Sequence, residues 1–174
     1  MNRLVNETAT RQGDPAADLV RLYDRSVGDV YGYLVSRCGS AATAEDLTSE
    51  VFMAAVDAVR RERVPEMTVA WLISVARNKL VDHWRHQEVV QRQLAVVEDD
   101  TVDDEWDVVL DRLLAERTLA ALGAHHRAAL TLRYLDGLSV PEVAHVLGRT
   151  VHATEALLVR ARAAFRRAYG EATS

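Results

Sequence analysis

Five arginines crowd the C-terminal end of the chain: Arg149, Arg160, Arg162, Arg166 and Arg167. Four of them fall in a stretch whose apolar residues, Val151, Leu158, Phe165 and Tyr169, continue one helix. Just before it, Ser139 with Glu142 three residues on forms a capping-box signature, and Gly148 supplies a turn. Two helices joined by a short turn containing glycine have the layout of a helix-turn-helix. In that layout the first residues of the second helix meet base edges, while flanking arginines neutralise phosphates. A surface helical hairpin with solvated arginines is the alternative reading.

A second stretch has chemistry suited to nucleic acid: VAWLISVARNKLVDHWRH, residues 69–86. Helical spacing places Ser74, Arg77, Asn78, Val81 and Arg85 on one face, with Trp71 and Trp84 bracketing the helix. Cations and amides beside aromatic rings suit a single strand, whose bases stack and whose phosphates need positive charge. The alternative is that both tryptophans are core and the polar face is simply wet.

Other chemistries find little support. The six histidines, His83, His86, His125, His126, His145 and His152, make no H-E-x-x-H helix, and His83 with His86 lacks a third ligand at a telling distance. Cys38 is the one cysteine, so neither an internal disulfide nor a multi-thiolate zinc site is possible. There is no G-x-S-x-G and no glycine loop to cradle phosphate. Asp46 and Glu50 lie one turn apart and could pair as catalytic carboxylates, but they read more simply as an exposed acidic face. No cofactor, metal or catalytic group is expected.

These residues are distributed unevenly. The net charge of −5 divides into −1 over residues 1–86, −8 over 87–111 and +4 over 112–174. A neutral block, an acidic strip and a basic block suggest two modules and a linker. At 49% hydrophobic and 27% charged residues the composition is that of an ordinary globular protein. Eight glycines and three prolines disfavour a turn-rich all-β fold. No apolar run approaches the roughly 18 residues of a membrane span, and the N-terminus has no secretory pattern, so a cytoplasmic protein without membrane insertion is expected.

Periodicity predicts the elements that would carry these groups. Leu19, Leu22, Tyr23, Val27, Val30, Tyr31 and Leu34 form one buried stripe of a helix from Pro15, broken at Cys38-Gly39-Ser40. A second helix begins near Ala42 and buries Leu47, Val51, Ala54, Ala55 and Ala58. Residues 60–68 read as a loop, and a third helix runs over 69–86 with Leu72, Val75, Ala76, Leu80 and Trp84 inward. Helices resume near Val108, with Leu110, Leu113, Leu114, Leu119 and Leu122 on one, and His126–Leu135 on the next. The expected fold is all-α: a disordered tail over 1–14, a helical domain over 15–87, a flexible acidic linker over 88–108 and a helix-turn-helix domain over 109–170.

Three segments in this order resemble one family. AEDLTSEVFMAA (44–55), AWLISVARNKLVDHWRH (70–86) and LRYLDGLSVPEVAHVLGRTVHATEALLVRARAAFRR (132–167) resemble the bacterial sigma factors of the extracytoplasmic-function group, within the sigma-70 family. The resemblance implies an initiation factor that binds core RNA polymerase and recognises and melts promoter DNA. It implies polymerase contacts for Asp46, Leu47, Thr48, Glu50 and Phe52, on the clamp helices of the largest subunit. It implies minus-ten contacts for Arg63, Trp71, Ser74, Arg77, Asn78 and Arg85. Minus-thirty-five contacts are implied for Arg149, Thr150, His152, Ala153, Glu155, Ala156, Arg160 and Arg162. The acidic strip matches the linker that runs through the polymerase, where it would mimic a polyanion, and an anti-sigma protein is the further partner implied.

The last helix departs from the family pattern. Where T-V-K-S-R is common, this chain has Ala153, Thr154, Glu155, Ala156 and Leu157. A lysine is replaced by Glu155 and an arginine by Leu157, which puts phosphate contacts there in question. Two other functions fit parts of the sequence. One is a stand-alone helix-turn-helix regulator with a helical sensor domain, which the middle motif and the acidic strip disfavour. The other is an all-helical enzyme, which lacks a convincing ligand set.

Overall fold

The structure is a computed structural model that describes residues 15–61, 67–94 and 107–173. Among these residues it contains helices and no strand, as the periodicity predicts. The chain divides into two compact units, one through Leu80 and the other from Val81.

The first unit contains α1 (Pro15–Cys38), α2 (Ala41–Arg60) and the start of α3 (Val69–Leu94). Helix α1 stops where Gly39 takes a left-handed φ of 70°. Ser40 then caps α2, its hydroxyl accepting from the Thr43 amide at 3.3 Å. Thr68 does the same for α3, accepting from the Trp71 amide at 3.2 Å. Leu22, Val30 and Leu34 from α1, Leu47, Val51, Phe52 and Ala55 from α2, and Leu72, Ala76 and Leu80 from α3 are all buried. Each large side chain removed from water in this way contributes about 1.5–3 kcal/mol. Ser26 and Thr48 are buried without cost to hydrogen bonding, because their hydroxyls donate to the carbonyls of Leu22 and Ala44 one turn back.

The expected stripes are partly redrawn. Tyr23 is 46% exposed, and Ala54, Ala58 and Val75 are half-buried. Helix α3 continues to Leu94, so residues 88–94 are helix and not the start of an extended linker. The local sequence QEVVQRQL consists mostly of good helix formers, and the dense like charge begins only at Glu98. The remaining strip from 95 to 106, with Trp106, lies outside the described residues, as do the tail over 1–14 and the loop residue Arg63.

The second unit contains α4 (Asp107–Ala121), α5 (Ala124–Leu130), α6 (Val140–Leu147) and α7 (Val151–Ala172). Helix α5 starts two residues before the expected His126, and its continuation over Thr131–Leu135 widens into a π-helical turn. The Asp136 amide closes that turn on the Thr131 carbonyl at 3.0 Å. Gly137 then adopts a φ of 70°. The core here includes Ala128, Leu130, Leu132, Val143, Leu147, Leu157, Leu158 and Ala161. Leu113, placed on α4 with the neighbouring leucines, is 51% exposed.

Candidate nucleic-acid interface

Helices α6 and α7 form the helix-turn-helix. At the start of α6 the Ser139 amide donates to the Glu142 carboxylate at 2.7 Å, the reciprocal half of a capping box. At its end Gly148 takes a φ of 62° and a ψ of 40°, and the Arg149 amide returns to the Ala144 carbonyl at 2.9 Å. Thr150 then caps α7, accepting from the Ala153 amide at 3.2 Å. The turn is therefore fixed by backbone bonds and the Thr150 cap, and α7 leaves it in a defined direction.

The first turns of α7 have two sides. Thr154, Leu157, Leu158 and Ala161 are buried. His152, Glu155, Ala156, Arg160 and Arg162 are exposed, Ala153 is half-buried, and Arg149 and Thr150 are exposed just ahead. Leu157, at the position where the family often carries arginine, is 4% exposed and serves the core. Glu155 stands 4.0 Å from His152 Nδ1, and their side chains are 60% and 98% exposed. Arg162 donates to the Tyr134 hydroxyl at 3.3 Å. Tyr134 lies in the π-helical turn and is 54% exposed. Sequence periodicity of 3.6 residues gives no signal for this partner, because the π turn changes the direction of the side chain.

Helix α3 carries the second candidate face. Asn78 is exposed at its crest. Steps of about 100° per residue set Arg77 and Lys79 on opposite flanks of that crest. On one flank, the Arg77 guanidinium lies 6.0 Å from the Tyr33 ring centroid, with Arg37 over the same ring at 3.9 Å. On the other flank, Lys79 Nζ lies 2.9 Å from Glu50 Oε2. The two neighbouring helices thus each hold one cation beside the amide. Ser74 and Trp71 are half-buried on the same helix, the Ser74 hydroxyl donating to the Trp71 carbonyl at 2.7 Å.

Two expected members of this face, Val81 and Arg85, are placed differently, while Trp84 is core, as the helical stripe predicts. Val81 is 2% exposed and Trp84 3% exposed, so both turn inward, and Trp84 has no free ring face to offer a base. Arg127 covers the Trp84 ring at 4.5 Å within the second unit. Arg85, in the same unit, donates to Asp82 at 3.3 Å and to the Leu147 carbonyl at 3.0 Å. That bond satisfies a carbonyl at the C-terminus of α6 which the helix leaves unpaired.

Helix α2 presents an acidic face. Asp46 and Glu50 are exposed, whereas Leu47, Thr48 and Phe52 are 4%, 7% and 8% exposed. The latter three build the core of the first unit and hold the helix in place. Met53, which the periodicity did not single out, is 68% exposed and follows Asp46 and Glu50 at i+7 and i+3. The face therefore combines two carboxylates with one flexible apolar side chain. Among the described residues, no three His, Cys, Asp or Glu side chains converge as a metal site. No described helix is long and apolar enough to cross a membrane.

Residues 22–89 match the family model Sigma-70 region 2, and residues 112–165 match Sigma-70, region 4. The chain is 34% identical to the ECF RNA polymerase sigma factor BldN of Streptomyces coelicolor, over 91% of this chain and 63% of BldN. It is 33% identical to the ECF RNA polymerase sigma factor SigL of Mycobacterium tuberculosis, over 76% of this chain and 78% of SigL. The match to BldN thus spans just under two thirds of that relative's length. Among solved structures, the fold resembles the sigma factor RpoE of Bartonella quintana, crystallised with the anti-sigma factor NepR. That likeness has a TM-score of 0.57 at 21% identity, over 87% of this chain and 96% of that one.

Proposed function

Because the chain belongs to the extracytoplasmic-function group of the sigma-70 family, we propose that it directs transcription initiation by carrying core RNA polymerase to specific promoters and opening them. The observation that carries this reading is the order of three surfaces along one chain. A region 2 unit bears an amide and cations on α3 and an acidic face on α2, and a region 4 unit bears a helix-turn-helix.

Each surface has a role suited to its chemistry. Asp46, Glu50 and Met53 dock on a basic, partly apolar surface of the polymerase, with Leu47, Thr48 and Phe52 supporting them from within. Asn78 can both donate to and accept from an exposed base, while Arg77 holds a phosphate and Ser74 and Trp71 extend the face toward the melted minus-ten strand. The start of α7 reads the minus-thirty-five duplex in the major groove through His152, Ala153, Glu155 and Ala156. Arg149, Arg160 and Arg162 hold the backbone, and Thr150 fixes the helix. A net charge of −5 is no obstacle, because polymerase supplies most of the DNA contacts. The same division of labour leaves bond-making chemistry to the polymerase. RpoE of Bartonella quintana is held by an anti-sigma factor, and a protein of that class, acting in the cytoplasm, is the proposed brake on this chain.

The test adds the full chain to sigma-free core polymerase and a promoter library. Specific run-off transcripts are the expected result. Tight duplex binding without core, and no transcripts with it, would instead identify a stand-alone regulator.

A further inference from the structure

Lys79 is the only lysine in the 174 residues, and it is held by a carboxylate of another helix. Its ammonium lies 2.9 Å from Glu50 Oε2, with the two side chains 36% and 51% exposed. The pair joins two surfaces of different purpose. Glu50 lies one turn from Asp46 on the acidic face of α2, and Lys79 follows Asn78 on α3. While the pair is closed, the positive charge nearest the Asn78 crest on that flank is cancelled at short range. An exposed pair of this kind is weak, favouring its closed form by about fivefold at most. A competing cation on a docked protein is therefore enough to open it. The lysine stem has four carbons, so once released its charge can swing toward a backbone phosphate beside Asn78.

On the premise of the function proposed above, we infer that the Glu50–Lys79 pair is a charge lock: docking of a basic protein surface on α2 draws Glu50 away and frees Lys79 to bind a phosphate beside Asn78. Protein docking and nucleic-acid affinity are thereby coupled through one ion pair. The free chain carries a muted nucleic-acid face, and the docked chain carries one more phosphate contact.

The test measures binding of a short fluorescein-labelled oligothymidylate to the full chain alone, over a series of salt concentrations. Glu50→Gln opens the lock without a partner. It is expected to tighten binding by about two- to fivefold and to steepen the salt slope by about 0.7, as one added single-strand phosphate contact requires. Glu45→Gln, an exposed carboxylate on the same helix, changes net charge equally and is expected to bind as the wild type does. The double variant with Glu50→Gln and Lys79→Gln is expected to lose the gain. In a second arm, Lys79→Gln at saturating core polymerase is expected to weaken binding of fork-junction DNA by about two- to fivefold.

An equal gain from Glu45→Gln, a gain that survives Lys79→Gln, or an unaffected holoenzyme in the second arm would each overturn the lock. Asn78→Ala separates this from failure of the underlying assignment. If Asn78→Ala weakens oligonucleotide binding but Glu50→Gln does not strengthen it, the lock alone falls. If Asn78→Ala binds as the wild type does, the α3 assignment falls and takes the lock with it.

Discussion

Tyr23 of α1 meets Phe52 of α2 edge to face, with ring centroids 4.7 Å apart and planes at 66°. The contact buries Phe52 while leaving Tyr23 46% exposed. It separates the part of α2 that holds the fold from the part that is offered outward. Phe52→Ala is therefore expected to destabilise the first unit by about 3–5 kcal/mol, read by thermal or denaturant unfolding. Met53→Ala is expected to leave unfolding within about 0.5 kcal/mol of wild type while weakening affinity for core polymerase. If the two variants reverse these effects, the division of α2 into inner and outer faces is wrong.

The turn between α6 and α7 makes a separate prediction. Gly148 has a φ of 62°, and a Cβ built there meets nothing within 4 Å. Gly148→Ala therefore suffers no clash and carries only the left-handed backbone cost, about 1–2 kcal/mol. Urea unfolding should show a lower midpoint with an unchanged slope. A neutral substitution would mean the turn relaxes readily to another conformation.

For promoter opening, Asn78→Ala is expected to impair melting more than initial closed-complex formation. Permanganate reactivity of unpaired thymines reports the first, and gel-shift affinity at low temperature reports the second. Equal reactivity of variant and wild type on the same promoter counts against a base contact from Asn78.

On α7, loss of a carboxylate and loss of a cation should have different signatures. If Glu155 accepts a hydrogen bond from cytosine N4, Glu155→Ala relaxes preference at one base pair by about 1–3 kcal/mol. Arg160→Ala or Arg162→Ala should weaken all promoters alike and flatten the salt dependence by about 0.9 in slope per lost phosphate contact. A promoter-library selection with each variant separates the two. An unchanged sequence preference for Glu155→Ala removes that residue from the reading set.

Much of this organisation was legible from local rules. Ser139 with Glu142, Gly148 and Thr150 identify the helix-turn-helix because caps and left-handed turns depend on a few adjacent residues. The stripe through Leu22, Val30 and Leu34 is equally local. What periodicity could not supply was the side of a helix on which a polar residue ends up relative to its neighbours in space. Trp84 is buried, as its place on the apolar stripe of α3 predicts, but Val81 lies on the expected polar arc and still turns inward, since its burial depends on packing partners that a single helical wheel does not contain. Tyr134 beside Arg162 depends on a π turn that follows from closure of the chain after α5. The Glu50–Lys79 and Tyr33–Arg77 contacts join residues far apart in sequence, and no spacing rule connects them.

Helix α7 keeps its two tasks on separate sides. Thr154, Leu157, Leu158 and Ala161 hold the domain together, and the neighbouring outward positions Glu155 and Ala156 contribute nothing to its core. Substitutions at the outward positions can accumulate without unfolding the domain. A duplicated copy of such a gene could acquire a different set of target genes through one or two changes there. On the function proposed above, departures from the usual family residues at 155 and 156 change what the helix reads, bounded by an inner side of Thr154, Leu157, Leu158 and Ala161 that must stay buried.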